Sequence, residues 1–402
     1  MQEPSVNIVV VGGGSGGTLS ANLLAKQLGN EINAGRVQVH LVLGSHEHIF
    51  QPGYLHVAFV GQDPTEIVRE ERSLVNQNVH LVEDRAERID LKSQVVTLAS
   101  RVKLHYDYLI IATGSVPNPK AIPGFSEAAL NFHTSPEESR KIWNVIQQFD
   151  GGHVVVGIAG VPHKCPPSPN EAAFLMDDYF RKGGMRDKVK LTFLTPYPRP
   201  YPAEPMSRVV EPLFKERGIE VVTFFNVESV DPAKKEIYSL EGESLSYDLL
   251  IMVPPHRGAD VVVESGIGDA DGWIPADKNT MRITGYENAY AIGDATNIPV
   301  SKTGVTAHLQ AITVTDNILS AIRQRKKLYK YNGRINCPFE MGSGKAAFVV
   351  GSYDMPVKEI HPSRIRYMMK KGFAMFYWRT LSGSLDWLFG LYFGKTQTVE
   401  SA

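Results

Sequence analysis

Short apolar runs alternate with glycine-rich turns and helical stretches along the chain, and the N-terminal part shows this pattern most clearly. Residues 7–11 form a β-rich apolar run, residues 12–17 are nearly all glycine, residues 18–28 read as a helix, and residues 37–43 form a second apolar run. Strand, glycine turn, helix and strand in this order predict the βαβ unit of a dinucleotide-binding fold.

The glycine turn has the spacing of a phosphate-binding turn. Gly12, Gly14 and Gly17 fit G-x-G-x-x-G. The first glycine allows a tight turn, the second lets the backbone approach a pyrophosphate, and the third permits close packing of helix on strand. Together with Ser15 they are candidate cofactor-binding residues, because free N–H groups at a helix start bind anions. The alternative is a glycine-rich turn without a ligand.

An internal repeat predicts a second copy of this fold. Residues 86–112 and 228–253 match at a constant offset of 141, and residues 154–157 repeat the valines and glycine of residues 9–12. We therefore predict an α/β protein with two Rossmann-like dinucleotide-binding domains, the second inserted in the first. The predicted domains are a first dinucleotide-binding domain (1–114 and 285–325), a second Rossmann-like domain (115–284) and a C-terminal domain (326–402).

The glycine turn of the second copy is altered. Ala159 and Pro162 replace its second and third glycines. An alanine side chain blocks close backbone approach, and proline removes an N–H donor. We therefore expect one bound dinucleotide rather than two, and no nicotinamide site in the second domain.

Two further motifs indicate which dinucleotide is bound. One apolar run ends in Thr113 and Gly114, and another ends in Gly293 and Asp294. Together with the first glycine turn, this pair of motifs resembles the flavoproteins with two dinucleotide-binding domains. The resemblance implies FAD as the cofactor, with Asp294 at its ribitol.

Further candidates for the cofactor site are Ser45, Pro52, Ala86, Lys302, Thr303 and Gly304. In the family, strand two usually ends in an acidic residue for the adenosine ribose, and Ser45 or the backbone would take that place here. Lys302 and the start of the following helix would stabilise an anionic flavin, the alternative being a lysine in a solvated loop. Residues 49–54 contain no cysteine that could attach a flavin covalently, so we expect non-covalent FAD.

Composition and charge exclude several classes of function. Lys and Arg number 42 against 43 Asp and Glu, for a net charge of −1, which argues against binding nucleic acid through its phosphates. Two cysteines exclude a disulfide scaffold. No apolar stretch reaches about eighteen residues and no basic region precedes the first strand, so we expect neither a membrane span nor a signal peptide. We predict no metal site.

The two cysteines are the candidate redox centre. Cys165 follows the altered glycine turn in a proline-rich loop, beside His163 and Lys164, which would favour its thiolate. Glu171 lies shortly after it, and Cys337 follows the predicted FAD domain. The alternative is a pair of unrelated buried thiols.

The sequence Cys-Pro-Pro-x-Pro-x-Glu from Cys165 to Glu171, with the late Cys337, resembles sulfide:quinone oxidoreductase and the flavin subunit of flavocytochrome c sulfide dehydrogenase. In that group, sulfide attacks a disulfide or polysulfide bridge beside the flavin, and one thiolate passes two electrons to it. The resemblance implies these roles for Cys165 and Cys337, with Cys337 as the residue that attacks the flavin and Glu171 as a base. Many members carry a third cysteine, which residues 131–134 here lack.

The composition of residues 361–395 indicates which kind of electron acceptor the protein uses. They hold six basic residues, one acidic residue and nine aromatic residues. Basic residues interleaved with Trp, Phe and Leu are typical of an amphipathic segment at a membrane interface. We therefore expect peripheral attachment to the cell membrane through a lipid bilayer surface, with a membrane quinone as acceptor. The alternative is a helix pair packed into a core or a dimer contact, and the sequence leaves a homo-oligomer open.

The sequence thus predicts FAD-dependent oxidation of sulfide to polysulfide or sulfur, with electrons passed to a quinone. Three alternatives stay open. A flavocytochrome-type flavin subunit would require secretion, and a type-II NADH dehydrogenase would require a working second glycine turn. A non-catalytic, FAD-stabilised redox-sensing module would use the cysteines as sensor or structural thiols.

Overall fold

The computed structural model describes residues 5–385 and 396–401. In chain order its strands are β1 (Val6–Val11), β2 (Val37–Val42), β3 (Glu47–Ile49), β4 (Val68–Glu70), β5 (His80–Val82), β6 (Ala86–Asp90), β7 (Val95–Leu98), β8 (Lys103–His105), β9 (Tyr108–Ile111), β10 (Ser115–Pro117), β11 (Gly152–Ile158), β12 (Val189–Leu194), β13 (Ile219–Val222), β14 (Val227–Asp231), β15 (Glu236–Ser239), β16 (Ser244–Ser246), β17 (Leu249–Val253), β18 (His256–Gly258), β19 (Ala289–Ala291), β20 (Lys327–Tyr331), β21 (Ile335–Glu340), β22 (Ala346–Gly351) and β23 (Gln397–Ser401). The α-helices are α1 (Ser15–Gln27), α2 (Gly29–Asn33), α3 (Tyr54–Val60), α4 (Phe125–Ala128), α5 (Pro136–Gln148), α6 (Ser168–Lys182), α7 (Glu204–Glu216), α8 (Asp260–Ser265), α9 (Gly304–Ile322) and α10 (Arg364–Thr380).

The first sheet is parallel, with the strand order β5-β2-β1-β9-β19. Both of its faces are covered, which is why its strands are continuous apolar runs. α1 crosses from β1 to β2 and packs Leu19, Leu23 and Leu24 into a core shared with α9. Because β19 and α9 lie far along the chain, this arrangement supports a discontinuous first domain.

The second sheet repeats the plan of the first. It is parallel, with the order β13-β12-β11-β17. The antiparallel sheets β6-β7-β8 and β14-β15-β16 correspond to each other and lead into the strands β9 and β17. These are the two segments that repeat in the sequence, so the prediction of an α/β protein with two Rossmann-like units is confirmed.

The C-terminal elements join the two units. The hairpin β21–β22 packs Cys337, Phe339 and Val349 into the core of the second unit. The residues after α10 return to the first unit, where Asn22 Nδ2 donates to the Leu381 carbonyl oxygen at 2.7 Å. The β21–β22 hairpin also places Cys337 next to Cys165. Within the described ranges, none of the helices combines the length and the apolar character needed to cross a bilayer.

Candidate active site

The glycine turn between β1 and α1 combines close backbone packing with one open face. Gly12 has a φ of +110°, and an added Cβ would lie 2.5 Å from the Ala112 carbonyl oxygen. A Cβ at Gly17 would overlap the Gly12 carbonyl oxygen. A Cβ at Gly14, in contrast, would meet no other segment of the described residues within 4 Å. Gly12 and Gly17 are therefore required by close packing within the fold, and Gly14 leaves space for a ligand.

Two helix N-termini meet at this turn. α1 begins at Ser15, and a Cβ built on Gly304, the first residue of α9, would lie 3.7 Å from Ser15 Oγ. Thr303 caps α9, its Oγ1 accepting from the Thr306 N–H at 3.2 Å. The partial positive charges of both helix ends favour a bound anion here.

Polar groups without partners lie where the chain leaves β9. Thr113 Oγ1 and Ser115 Oγ are buried and have no hydrogen-bond partner within the described part of the chain. Gly114 between them has a φ of +67° and open space beside it. Asp294 follows Gly293 after β19, and burial raises its pKa against the opposing charges of Lys302 and Lys164.

Lys302 lies in the loop before α9, but its side chain is partly buried and hydrogen-bonded, unlike the solvated lysine of the alternative. Its Nζ donates to the carbonyl oxygens of Asp294 at 3.2 Å and Thr296 at 2.5 Å, and lies 3.9 Å from the centre of the Trp273 ring. Burial lowers the pKa of Lys302, with Asp294 opposing the change. Its carbonyl oxygen accepts from the Cys165 N–H at 2.8 Å, which joins the cofactor side of the site to the thiol loop.

The remaining candidate cofactor-binding residues have fewer side-chain groups available to contact a cofactor. Ser45 is exposed after β2, with its Oγ accepting from the Glu47 N–H at 3.1 Å. Pro52 is exposed in a turn whose first residue, Gln51, accepts from Lys164 Nζ at 3.0 Å. Ala86 begins β6 with its side chain in the hydrophobic core, which leaves its backbone to contact a cofactor.

The structure brings the two cysteines together. Both are free thiols, and Cys165 lies close enough to Cys337 to be the main influence on its pKa. Cys165 lies in a loop with a φ of +51°, and Cys337 is buried on β21. The hydrogen bond with Cys165, burial and the charge of Glu171 raise the pKa of Cys337, and Lys370 opposes them. Residues 172 positions apart thus form one thiol pair.

Glu171 lies beside this pair in a buried ionic network. Its Oε1 accepts from the Glu340 N–H at 2.7 Å and from Lys370 Nζ at 2.8 Å. Lys370 Nζ also lies 2.8 Å from Glu340 Oε2, which His56 Nε2 approaches to 3.1 Å. Burial would lower the pKa of Lys370, but Glu171 and Glu340 outweigh it and hold that pKa above its ordinary value. A lysine expected at the membrane interface is therefore an interior residue of the thiol site.

The loop around Cys165 carries less positive charge than the sequence indicates. Burial lowers the pKa of His163, so this imidazole is neutral at pH 7, contrary to the expectation that it favours the thiolate as a cation. His133, within residues 131–134, has its Nε2 2.8 Å from Ser168 Oγ and its Nδ1 3.3 Å from His256 Nε2. Burial also lowers the pKa of His133, and that of His256 to about 3.

Comparison with known proteins identifies the family. Residues 6–313 match the pyridine nucleotide-disulphide oxidoreductase family. The chain belongs to this family. Mitochondrial sulfide:quinone oxidoreductase of Mus musculus is 27% identical over 391 residues, which cover 93% of this chain and 86% of the relative. Sulfide-quinone reductase of Aquifex aeolicus is 27% identical over 403 residues, covering 93% of this chain and 88% of the relative.

A solved structure shows the same fold. The X-ray structure of sulfide:quinone oxidoreductase from Aquifex aeolicus superposes with a TM-score of 0.87 at 23% identity, and the match covers 99% of this chain and 97% of the other. The fold shared with that structure therefore includes the C-terminal elements as well as the two Rossmann-like units.

Membership in the pyridine nucleotide-disulphide oxidoreductase family implies FAD as the cofactor, and the residues present fit it. The open face of Gly14 and the two helix N-termini at Ser15 suit a pyrophosphate. The unpartnered hydroxyls of Thr113 and Ser115 offer hydrogen bonds to a ligand at the crossing of the chain. Asp294 is linked to the loop that carries Cys165 through Lys302, which hydrogen-bonds to the backbone of both residues.

Sequence reasoning missed several residues around the thiols. Tyr201 is buried, and its pKa is raised by burial and by the charges of Cys337, Cys165 and Glu171. Lys370 and Glu340 reach the site from the C-terminal elements. No sequence motif links them to the thiols. The proline-rich run around Tyr201 and the lysine on the apolar helix were the available signals.

Proposed function

We propose that this protein oxidises sulfide and passes the electrons through FAD to a quinone. The observation that carries this function is the proximity of the Cys165 and Cys337 thiols within an FAD-dependent fold. Relatives named sulfide:quinone oxidoreductase, which match this chain over most of their length, support it.

The thiol pair supplies the covalent chemistry. When the pair is a disulfide, attack by HS⁻ forms a new S–S bond at one cysteine and breaks the Cys–Cys bond, so that the other cysteine leaves as a thiolate. A second HS⁻ removes the outer sulfur as HSS⁻ and leaves one thiol and one thiolate. Re-forming the disulfide releases one proton and two electrons. Bound FAD supplies the acceptor for this electron pair and the donor to the quinone.

Glu171 is the base that we assign to this cycle. It is buried next to the pair, and Lys370 Nζ lies 2.8 Å from its carboxylate. A carboxylate in this position can take the proton that is released when the disulfide re-forms. Glu340 and His56 continue the hydrogen-bonded chain outwards, and the His56 side chain is 30% exposed.

The exposed face of α10 supports contact with a lipid surface, where a quinone is available. Ile365, Met368 and Met375 are 64–75% exposed, and Met369 and Phe376 on the same side are also exposed. An apolar helix face of this size left in water is typical of an interfacial helix. The other residues of the predicted interface, Asp386, Trp387, Phe389, Tyr392, Phe393 and Lys395, lie outside the described residues.

The second glycine turn disfavours NADH as the donor. β11 ends at Ile158 and α6 begins at Ser168, whereas α1 begins four residues after the end of β1. The second turn therefore lacks the adjacent helix N-terminus that binds a pyrophosphate.

Anaerobic titration of the purified, FAD-loaded protein tests the proposal. Sulfide should bleach the flavin absorbance, a soluble quinone analogue should restore it, and NADH should have little effect. Rapid bleaching by NADH without a response to sulfide would instead support an NADH dehydrogenase. A response to neither reductant would support a redox-sensing module.

A further inference from the structure

α10 reaches the phosphate-binding turn through Tyr377. The hydroxyl of Tyr377 lies 2.7 Å from Ser15 Oγ and 2.7 Å from His48 Nε2. Its ring is buried and packs against Phe50, with the ring centres 4.6 Å apart. Ring packing and two hydrogen bonds thus fix this hydroxyl at the first residue of α1.

A buried polar chain continues behind Tyr377. His48 Nδ1 donates to Glu71 Oε2 at 2.8 Å, and the Thr18 hydroxyl donates to the other carboxylate oxygen of Glu71. His48, Glu71 and Thr18 are at most 1% exposed. With Nδ1 as the donor to the carboxylate, Nε2 of the same tautomer accepts from Tyr377, and the Tyr377 oxygen accepts from Ser15. The chain therefore runs in one direction from Ser15 to Glu71.

This chain holds the first turn of α1 at both ends. Ser15 begins the turn and Thr18 ends it, and both contact the same set of buried groups. Beyond α10, Lys26 Nζ donates to the Gly383 carbonyl oxygen at 3.1 Å, which adds a contact near the end of α1. The G-x-G-x-x-G motif does not itself require any contact with the C-terminal helix, so these contacts are an addition to the dinucleotide fold.

We propose that Tyr377 is a positioning residue of the FAD site. It holds the Ser15 hydroxyl, and with it the N–H groups of the first turn of α1, in the arrangement that receives the pyrophosphate. Donors that are already ordered bind an anion more tightly than donors that must be ordered on binding. α10 is thereby part of the cofactor site as well as the helix with the exposed apolar face. This inference concerns FAD retention and does not depend on the identity of the substrate.

The test compares FAD release from the holoenzyme of Tyr377→Phe, Ser15→Ala and the double variant. Phenylalanine keeps the ring contact with Phe50 and removes the hydroxyl. Tyr367→Phe, on the same helix, is the control. Fluorescence of the flavin released on dilution gives the affinity without any substrate. We expect Tyr377→Phe to bind FAD about tenfold more weakly. The double variant should bind FAD only slightly more weakly than Ser15→Ala, because both substitutions remove the same hydrogen bond between Ser15 and Tyr377.

Two results would overturn the proposal. One is an FAD affinity of Tyr377→Phe within about twofold of that of Tyr367→Phe. This result includes the case in which Tyr377→Phe lowers the melting temperatures of the FAD-free and FAD-loaded forms equally. That case would make the hydroxyl a structural contact. The other is a double variant in which the two losses add fully, because independent effects would mean that Tyr377 does not act through Ser15.

Discussion

Replacing Lys370 with methionine tests the ion pairs that join α10 to the thiol site. Lys370 Nζ lies 2.8 Å from a carboxylate oxygen of Glu171 and 2.8 Å from one of Glu340, and the two acidic side chains are 4% and 5% exposed. Methionine keeps much of the side-chain length but leaves both buried carboxylates without this cation. Lys371→Met is the matched control, because Lys371 is exposed, with its Nζ 5.1 Å from the centre of the Tyr367 ring.

Glu340 sets the magnitude and the sign of the effect. Burial would raise its pKa, but the hydrogen bond from His56 and the charge of Lys370 lower that pKa to about 2, from the ordinary 4.5. A lowered pKa in the folded state stabilises the protein above the unfolded value, by about 3 kcal/mol for a change of this size. The stabilisation is present above about pH 5 and is lost as the pH falls towards 2.

We therefore expect Lys370→Met to lower the free energy of unfolding by about 2–3 kcal/mol at pH 7, somewhat less than the about 3–5 kcal/mol typical of a broken buried ion pair, because His56 remains. The loss should shrink as the pH is lowered below about 4.5. Urea unfolding followed by circular dichroism, at pH 7 and at the lowest pH where both proteins are folded, measures it. Equal stability of Lys370→Met and Lys371→Met at pH 7 would refute the buried ion pair. A loss independent of pH would refute the role of Glu340.

Three further predictions concern the lipid surface, the thiols and the glycine turn. Met375→Glu should weaken flotation with lipid vesicles while Leu240→Glu, equally exposed on the second unit, should not; equal effects would contradict a lipid surface on α10. Iodoacetamide at pH 7 should label Cys165 before Cys337, as read by peptide mass spectrometry, because the hydrogen bond with Cys165 and burial raise the pKa of Cys337; the reverse order would contradict this. Gly14→Ala should melt near the wild-type temperature yet bind FAD at least about tenfold more weakly in a fluorescence titration, because its Cβ enters open space; unchanged affinity would contradict a pyrophosphate there.

The features that sequence predicts well here are local or repeated. The turn at Gly12, Gly14 and Gly17 was predictable because the need for glycine there arises from contacts within one βαβ unit. The two copies of the fold were predictable because the antiparallel sheets and the strands that follow them are built from matching segments. The meeting of Cys165 and Cys337 followed from a family resemblance, and no local pattern of residues would have given it.

The features that sequence reasoning misjudged depend on distant contacts. Lys370 stands among aromatic and basic residues, a pattern that predicts a membrane interface, yet two carboxylates from α6 and β21 hold it inside. His163 beside Cys165 suggests a cation, but burial keeps it neutral. In both cases the chemistry of the side chain depends on neighbours that lie far away in the sequence.

The most direct test of the central claim is the response of bound FAD to sulfide in the cysteine variants. Cys165→Ser, Cys337→Ser and the double variant are titrated anaerobically while the flavin absorbance is recorded. If sulfide enters through the thiol pair, each single variant should retain FAD and lose sulfide-dependent bleaching, and the double variant should be little worse than either, because the two thiols act as a unit. Bleaching of Cys337→Ser at the wild-type rate would contradict the account.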